Sequence, residues 1–530
     1  MVKNVLIGIG GTGSRVIESV VHLCAAGLGP EELHVFIIDP DEGNGSLERT
    51  KSIINNYKSL KKEYGTLSTN PSFKTKLVIP EDKYNWGILE DKGVTLSSYL
   101  SFKTLSAQES ELADLTRLLF TEKELNQQLD EGFRGHPSIG AVVMAAPPED
   151  KHPFQHLWNL VKNAEGENSV RVFLVGSVFG GTGAAGIPTL GAKGQIKYNP
   201  QADLGDGLSK VLLGAALVLP YFNFTIAEDQ QLLAKSENFP LATKAALQYY
   251  ADKDLGIDQY YLIGDTIKQS ITNDNVKAGG RGQEKNPHHV ELVSALAAVD
   301  FFKQEHNKGA LQKQYLGSKR DSDWIDWDQL PYTRYKDNLD VETQNAKKAL
   351  TDFTVFSYTY LTYGRIANKR KDSPGDYATI LKSSWYKDAK FFEKPSGLFS
   401  WGKPQQGSIE SDILNEGNNT IFNNADEYCQ QFLFWLACIS DNNHIGLVDR
   451  KKFYAGELKL PGHIKDRLVE PFANEGLNIG EIIDRKYANA KDKPTFNTFI
   501  TSLNEVVGSS DELKKSTLPN AAGKLLNIFI

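Results

Sequence analysis

Cysteine is scarce in this chain. Three occur among 530 residues, Cys24, Cys429 and Cys438, and no two of them form a Cys-x-x-Cys pair. That argues against a disulfide framework or a zinc ribbon and makes a reducing cytoplasm the expected setting. Long apolar runs are missing too. The longest candidate, residues 211–224, contains Pro220 and Asn223 and reads as a core strand rather than a membrane span. The opening MVKNVLIGIGG has too short an apolar run for a signal peptide. There is no excess of positive charge: 59 Lys and Arg against 66 Asp and Glu leave a formal net charge of -7, which argues against a general nucleic-acid binder. Internal repeats and low-complexity segments are also absent. The 40% hydrophobic and 24% charged content is that of an ordinary globular protein, long enough for two or three domains.

The chain does have glycine loops placed directly after strands. Asn4 to Ile9 reads as a strand, with Gly8, Gly10, Gly11 and Gly13 at its end and a helix from Ser14 to about Ala26 beyond them. Backbone amides and the helix dipole favour an anion at such a turn. A second strand, His34 to Ile38, ends in Asp39, Pro40, Asp41 and Glu42, giving a βαβ opening. Gly8, Gly10 and Gly13 satisfy G-x-G-x-x-G, and Asp39 stands where a ribose-binding acid would. A dinucleotide site and plain helix-on-strand packing are both compatible with these glycines.

The second loop lies in VRVFLVGSVFGGTGAAGIPTLG, residues 170–191. Val172 to Val175 read as a strand covered on both faces, and Gly180, Gly181 and Gly183, with the Thr182 hydroxyl, outline a phosphate cradle. Between the two loops, residues 44–130 read as a polar insertion with modest helices. Gly132 to Pro137 is a turn-rich loop in which Arg134 either reaches a phosphate or lies exposed, and Ile139 to Ala145 resumes a strand pattern. His152 and His156 are four apart, but no third ligand lies nearby in sequence and they are not read as a metal pair.

Lys210 to Leu219 predicts a strand, about 228–251 a helix with Phe239, Leu241, Ala245, Ala246 and Leu247 on its apolar face, and Asp258 to Ile263 a strand ending at Gly264 and Asp265. This alternation implies a mainly parallel sheet with helices on both sides and ligands outside the carboxyl ends of the strands. A helix follows Pro287 as far as about Gln304; His288 and His289, adjacent on it, would point about 100° apart and not chelate. Farther on, 309–372 reads as a connector with a long helix over 341–367, and 373–530 as a separate C-terminal domain. In that domain Phe422 to Ile439 is an apolar helix that puts Cys429 and Cys438 in packing roles.

Two glycine loops in one α/β sheet exceed what a dinucleotide fold requires. The pair resembles the tubulin and FtsZ superfamily, in particular its divergent bacterial tubulin-like proteins. The signature loop is matched by Phe179-Gly180-Gly181-Thr182-Gly183-Ala184-Ala185, with Phe179 and Ala185 departing from glycine, and the first nucleotide loop by Gly10-Gly11-Thr12-Gly13-Ser14. IIDPDEG is similar to the family's acidic loop, AALVLPYFNF with Asn223 to its ribose segment, and Asn286 to Glu291 to the loop that one subunit inserts against its neighbour's nucleotide. The resemblance covers residues 1 to about 305.

It implies a Rossmann-like tubulin/FtsZ GTPase domain over 1–308 followed by a divergent, mostly helical α+β C-terminal region, with GTP or GDP as ligand and Mg2+ as its partner. The implied nucleotide-binding residues are Gly10, Gly11, Thr12, Gly13, Ser14, Arg15, Asp39, Asp41, Arg134, Gly180, Gly181, Thr182, Gly183, Ala184, Asn223 and Asp265. Asp39 and Asp41 would hold the metal directly or through water, and Glu291 would polarise the attacking water. Filaments of head-to-tail copies are the implied assembly, with the C-terminal region open to a protein partner. Two departures qualify this. Arg15 and Glu18 stand where an amide side chain usually helps recognise guanine, so ATP remains open. The interval from Asp265 to Asn286 is short for the family's central helix, and if the helix after Pro287 is that element, Glu291 loses its catalytic role. The alternatives are a non-hydrolysing nucleotide-gated scaffold and an NAD-dependent oxidoreductase on Gly8, Gly10, Gly13 and Asp39.

Overall fold

The computed structural model describes most of residues 2–303, leaving out 65–71, 81–84, 146–153, 192–210, 225–235, 266–268, 272–284 and a few shorter gaps, together with 314–317, parts of 346–361, 419–441 and 447–448. Arg134, His152, the linker around 369–375 and nearly all of the expected C-terminal domain lie outside these residues.

The chain opens with β1 (Lys3–Ile9), α1 (Gly10–Ala25), β2 (Glu32–Ile38), α2 (Gly45–Tyr64), β3 (Lys76–Val78) and β4 (Asn85–Trp86). Four short helices follow, α3 (Leu96–Tyr99), α4 (Phe102–Ala107), α5 (Glu111–Leu119) and α6 (Glu122–Leu125), then α7 (Pro137–Met144) and α8 (Phe154–Lys162). The next segment holds β5 (Val170–Ser177), α9 (Gly181–Gly191), β6 (Val211–Val218), β7 (Phe222–Phe224), α10 (Phe239–Asp252), β8 (Gln259–Ile263), β9 (Gln269–Ile271), α11 (His289–Lys303) and β10 (Gln314–Gly317). Helix α12 (Asn419–Asp441) comes from the C-terminal part.

The main sheet runs β10-β8-β6-β5-β1-β2-β3, with β4 also on β2, and all its pairings are parallel. The six strands β3-β2-β1-β5-β6-β8 follow the doubly wound order, so this is an α/β protein with a Rossmann-like sheet. The alternation of side chains fixes two core layers. Val5, Ile7, Ile9, Val172 and Leu174 face α7, α8, α9 and α10. Leu6, Phe173 and Val175 face α1, α2, α11 and α12. The sheet extends to Gly317, past the boundary expected at 308.

Several sequence expectations change. Residues 139–144 are helical, not extended, with Ala145 as the C-cap: Pro137 opens α7, and a short apolar run fits either state until its neighbour decides. Gly140 brings α7 so close to α9 that a β-carbon there would lie 2.6 Å from that of Ala185. The segment from 44 onward is no mere insertion, because α2 buries Leu47, Ile53, Ile54 and Tyr57 and leads to the edge strands β3 and β4. On α10, Phe239 is buried but Leu241 is 71% exposed, so the expected apolar face is divided. The rings of His288 and His289 are not splayed but 4.4 Å apart between centroids, because His288 precedes the helix.

Helix α12 docks on α1 and α2. Trp435 is fully buried and donates from Nε1 to Ser19 Oγ at 2.9 Å, and Gln431 reaches Asn56 and Ser52 on α2. All three cysteines are buried thiols outside any disulfide, and burial pushes the Cys24 thiol up to about 12, as expected of packing residues. Among the described residues no helix is long and apolar enough to cross a membrane. Trp435→Ala should cost about 3–5 kcal/mol in urea unfolding, the usual loss for a large buried aromatic; a loss below about 1 kcal/mol would mean that α12 does not dock here.

Candidate functional site at the carboxyl ends of β1 and β5

Parallel pairing of β1 with β5 sets Ile9 opposite Gly176, so the two glycine loops emerge side by side. Each turns directly into a helix, α1 at Gly10 and α9 at Gly181. Gly10 has φ 72°, a left-handed value that favours glycine, and a β-carbon on it would stand 3.3 Å from Thr182 Cβ. The loops thus touch. At Gly13 a β-carbon would fall 2.7 Å from the Val175 carbonyl oxygen and within 2.6 Å of the Gly8 backbone, so this glycine is needed for α1 to seat on the sheet. Gly183 packs against the Ser177 backbone in the same way.

Gly11 is different. Its β-carbon would meet only Asn44 Nδ2 at 3.6 Å and Arg15 Nη1 at 3.7 Å, ordinary contact distances, and the residue is partly exposed. No side chain caps the α1 N-terminus at Ile9. Amides at the ends of α1 and α9 therefore converge on one place, and converging amides with aligned dipoles attract anions. Thr182 is partly exposed there. Ala184 is buried, and its amide donates to Gly180 O at 3.3 Å. Phe133 and Gly135 pack on Gly181, which brings the loop carrying Arg134 to the second cradle; Arg134 itself is outside the described residues.

On the β2 side, Asp39 and Asp41 are both buried, and the Asp41 amide donates to Asp39 Oδ1 at 3.1 Å. Asn85 clamps the Asp39 backbone from both sides. Burial pushes the Asp39 carboxyl up to about 7, and the neighbouring Asp41 charge adds to this. Two close, buried carboxylates are suited to a cation that brings its own water or phosphate oxygens, as Mg2+ does. Among the described residues, no group of three or more side chains could hold a metal by itself.

Four expected site residues turn inward instead. Ser14 is fully buried and donates to Thr50 Oγ1 at 3.2 Å, a contact between α1 and α2. Arg15 donates from Nε to Glu291 Oε1 at 2.5 Å and from Nη2 to the Tyr221 hydroxyl at 2.6 Å, while that hydroxyl donates to Glu291 Oε1. Glu291 is 1% exposed in the first turn of α11, where its other oxygen accepts the His288 amide at 3.0 Å. Glu291 is thus enclosed by its own chain and ion-paired with Arg15, not presented at the surface. Asp265 pairs with His289 Nε2 at 3.0 Å. Asn223 is half-buried in β7, opposite Ser270 of β9.

The sequence assigns no role to Tyr221, Asn44, Lys285 or Arg49, and it marks Glu18 only as standing where an amide side chain usually helps recognise guanine. Asn44 begins α2, accepting the Ser46 amide at 2.9 Å, which is visible as an Asn before a helical run. Arg49 grips Glu18 with Nε and Nη2 and also holds the Lys285 carbonyl. The Lys285 ammonium lies 3.9 Å from the Phe222 ring centroid, and burial lowers its pKa. No spacing rule joins positions so far apart in sequence. No protein-family model and no curated protein matches the chain.

Two measurements probe this site. Glu291→Gln leaves a buried Arg15 without its counter-charge and should cost about 3–5 kcal/mol by chemical denaturation, whereas replacing Arg15 with Met in the same chain should recover much of it. The folded state binds the Asp39 proton more tightly than the unfolded chain does, so this group's contribution to stability falls as pH rises from about 4 to about 7. Asp39→Asn should therefore raise the melting temperature most above pH 7, with the gain shrinking toward pH 4; an equal shift at both pH values would place the titration elsewhere.

Proposed function

We propose that this chain is a nucleotide-binding protein of the tubulin and FtsZ type, holding the phosphates of GTP between Gly10–Gly13 and Gly180–Gly183. The contact between the two loops through Gly10 and Thr182 carries this reading. A single fingerprint loop would serve a dinucleotide, but a second loop of helix-start amides beside it supports a longer run of phosphate charge. Asp39 and Asp41 would hold Mg2+, partly through water, and the ion would neutralise charge on the phosphates. GTP rather than ATP rests on the resemblance alone, and so does assembly of copies head to tail.

Hydrolysis on assembly remains part of the proposal, but Glu291 no longer supplies its acid, since its carboxylate is committed to Arg15 and Tyr221. That commitment favours a second reading, in which the nucleotide gates a scaffold without being hydrolysed and stabilises only the state that binds it. Turnover that rises with protein concentration supports the first reading; tight binding with no turnover at any concentration supports the second.

Gly11→Val is the substitution of choice. A β-carbon at Gly11 makes only ordinary contacts, with Asn44 and Arg15, whereas one at Gly181 would strike Phe133 and disturb the fold. Gly11→Val should lower GTP affinity by at least tenfold with an unchanged melting temperature of the free protein. Unaltered affinity for GTP, or preferential binding of NAD by the unmodified chain, would overturn the site.

A further inference from the structure

Arg15 is 4% exposed, and its guanidinium is engaged unevenly. Nε donates to Glu291, and Nη2 donates to the Tyr221 hydroxyl and, at 3.3 Å, to Thr12 Oγ1 within the first glycine loop. Nη1 has no hydrogen-bond partner among the described residues, although its N–H groups are as strong donors as the others. It lies beside Gly11, 3.7 Å from the point that a β-carbon there would occupy. A planar fork held at Nε and Nη2 does not turn freely, so Glu291, Tyr221 and Thr12 together fix where Nη1 stands. Burial opposes the guanidinium charge, but Glu291 and Tyr221 more than offset it, so the group is held as a cation. A donor left unpaired on a buried cation is costly unless something binds it.

We propose that Arg15 Nη1 donates to the phosphates held at the first glycine loop and makes the site prefer a triphosphate to a diphosphate. This rests on the nucleotide reading above and adds to it a side-chain cation that senses the length of the phosphate chain. Three observations carry it. Nη1 stands by Gly11 at the N-terminus of α1, which no side chain caps and where backbone amides already favour an anion. Asn44 approaches the same point: its Oδ1 is committed to the Ser46 amide at the start of α2, and its Nδ2 lies 3.6 Å from the β-carbon position of Gly11. Finally, the Asp39 carboxyl, raised chiefly by burial, is lowered by the Arg15 charge, so the cation and the acidic pair share one end of the site. Mg2+ on Asp39 and Asp41 would bridge the outer phosphates there, and Nη1 would meet the part of the chain where a triphosphate carries one more charged group. Glu291 and Tyr221 are then positioning residues, which hold the guanidinium without touching the ligand.

Calorimetric titration of the full chain with GTP and with GDP, each with Mg2+, tests this. The unmodified chain should bind GTP about tenfold or more tightly than GDP, the scale of one hydrogen bond to a charged group. Arg15→Met combined with Glu291→Gln removes the cation and its counter-charge together; it should abolish the preference by weakening GTP, with GDP binding little changed. Glu291→Gln alone keeps Arg15 and should keep the preference. Should melting curves show the double variant unfolded, Arg15→Lys carries the test: it keeps the charge beside Glu291 but loses the fork, and should cut the preference by about threefold or more. Equal affinities in the unmodified chain, or a preference for GTP that survives the folded Arg15 variants, would overturn the proposal and leave the glycine loops as the site. Binding of neither nucleotide would overturn the nucleotide reading, and this proposal with it.

Discussion

The carboxyl end of this sheet depends on backbones approaching more closely than a β-carbon permits. Gly13 against the Val175 carbonyl and Gly183 against the Ser177 backbone each remove the atom that would hold a helix away from its strand. With those atoms gone, α1 and α9 start flush with the strand ends, and the parallel pairing of β1 with β5 brings their first amides together. Gly10, in the left-handed region, makes the turn, and Gly11, partly exposed, has room for a β-carbon at ordinary contact distance from Asn44 and Arg15. The glycines therefore divide into those that build the platform and those that keep it accessible, a division that the repeated G-x-G spacing does not reveal.

Around this platform the protein spends buried charge. Arg15, Glu291 and Tyr221 tie α1, the segment after β6 and the start of α11 into one hydrogen-bonded knot, and Glu18 with Arg49 makes a second between α1 and α2. Pairs like these add little net stability compared with apolar packing, but breaking one is costly, so they fix position. Helix α12 adds a contact from late in the chain, with Tyr428 and Trp435 meeting His22 and Ser19 on the helix that begins at the glycine loop. A movement of α1 would have to be matched by α12.

Much of the sheet was legible in the sequence because its strands are short apolar runs ending in glycine or acid, as at Ile9, Ile38 and Ser177. Local pattern failed where the deciding partner was remote. Residues 139–145 fit a strand until Gly140 meets Ala185, and Leu241 looks like core on a helical wheel although α10 turns Phe239 and Tyr250 inward instead. Of the candidate site, the two loops and the Asp39–Asp41 pair came from sequence. The inward turn of Ser14, Arg15 and Glu291 did not, because an arginine 276 positions from its carboxylate leaves no trace in spacing.

The central claim is that both glycine loops hold one phosphate-bearing ligand. Amide hydrogen exchange with and without GTP and Mg2+ tests it most directly. The account requires residues 10–13 and 180–184 to gain protection together, with the same dependence on GTP concentration. Protection confined to one loop, or none at saturating GTP, would contradict it.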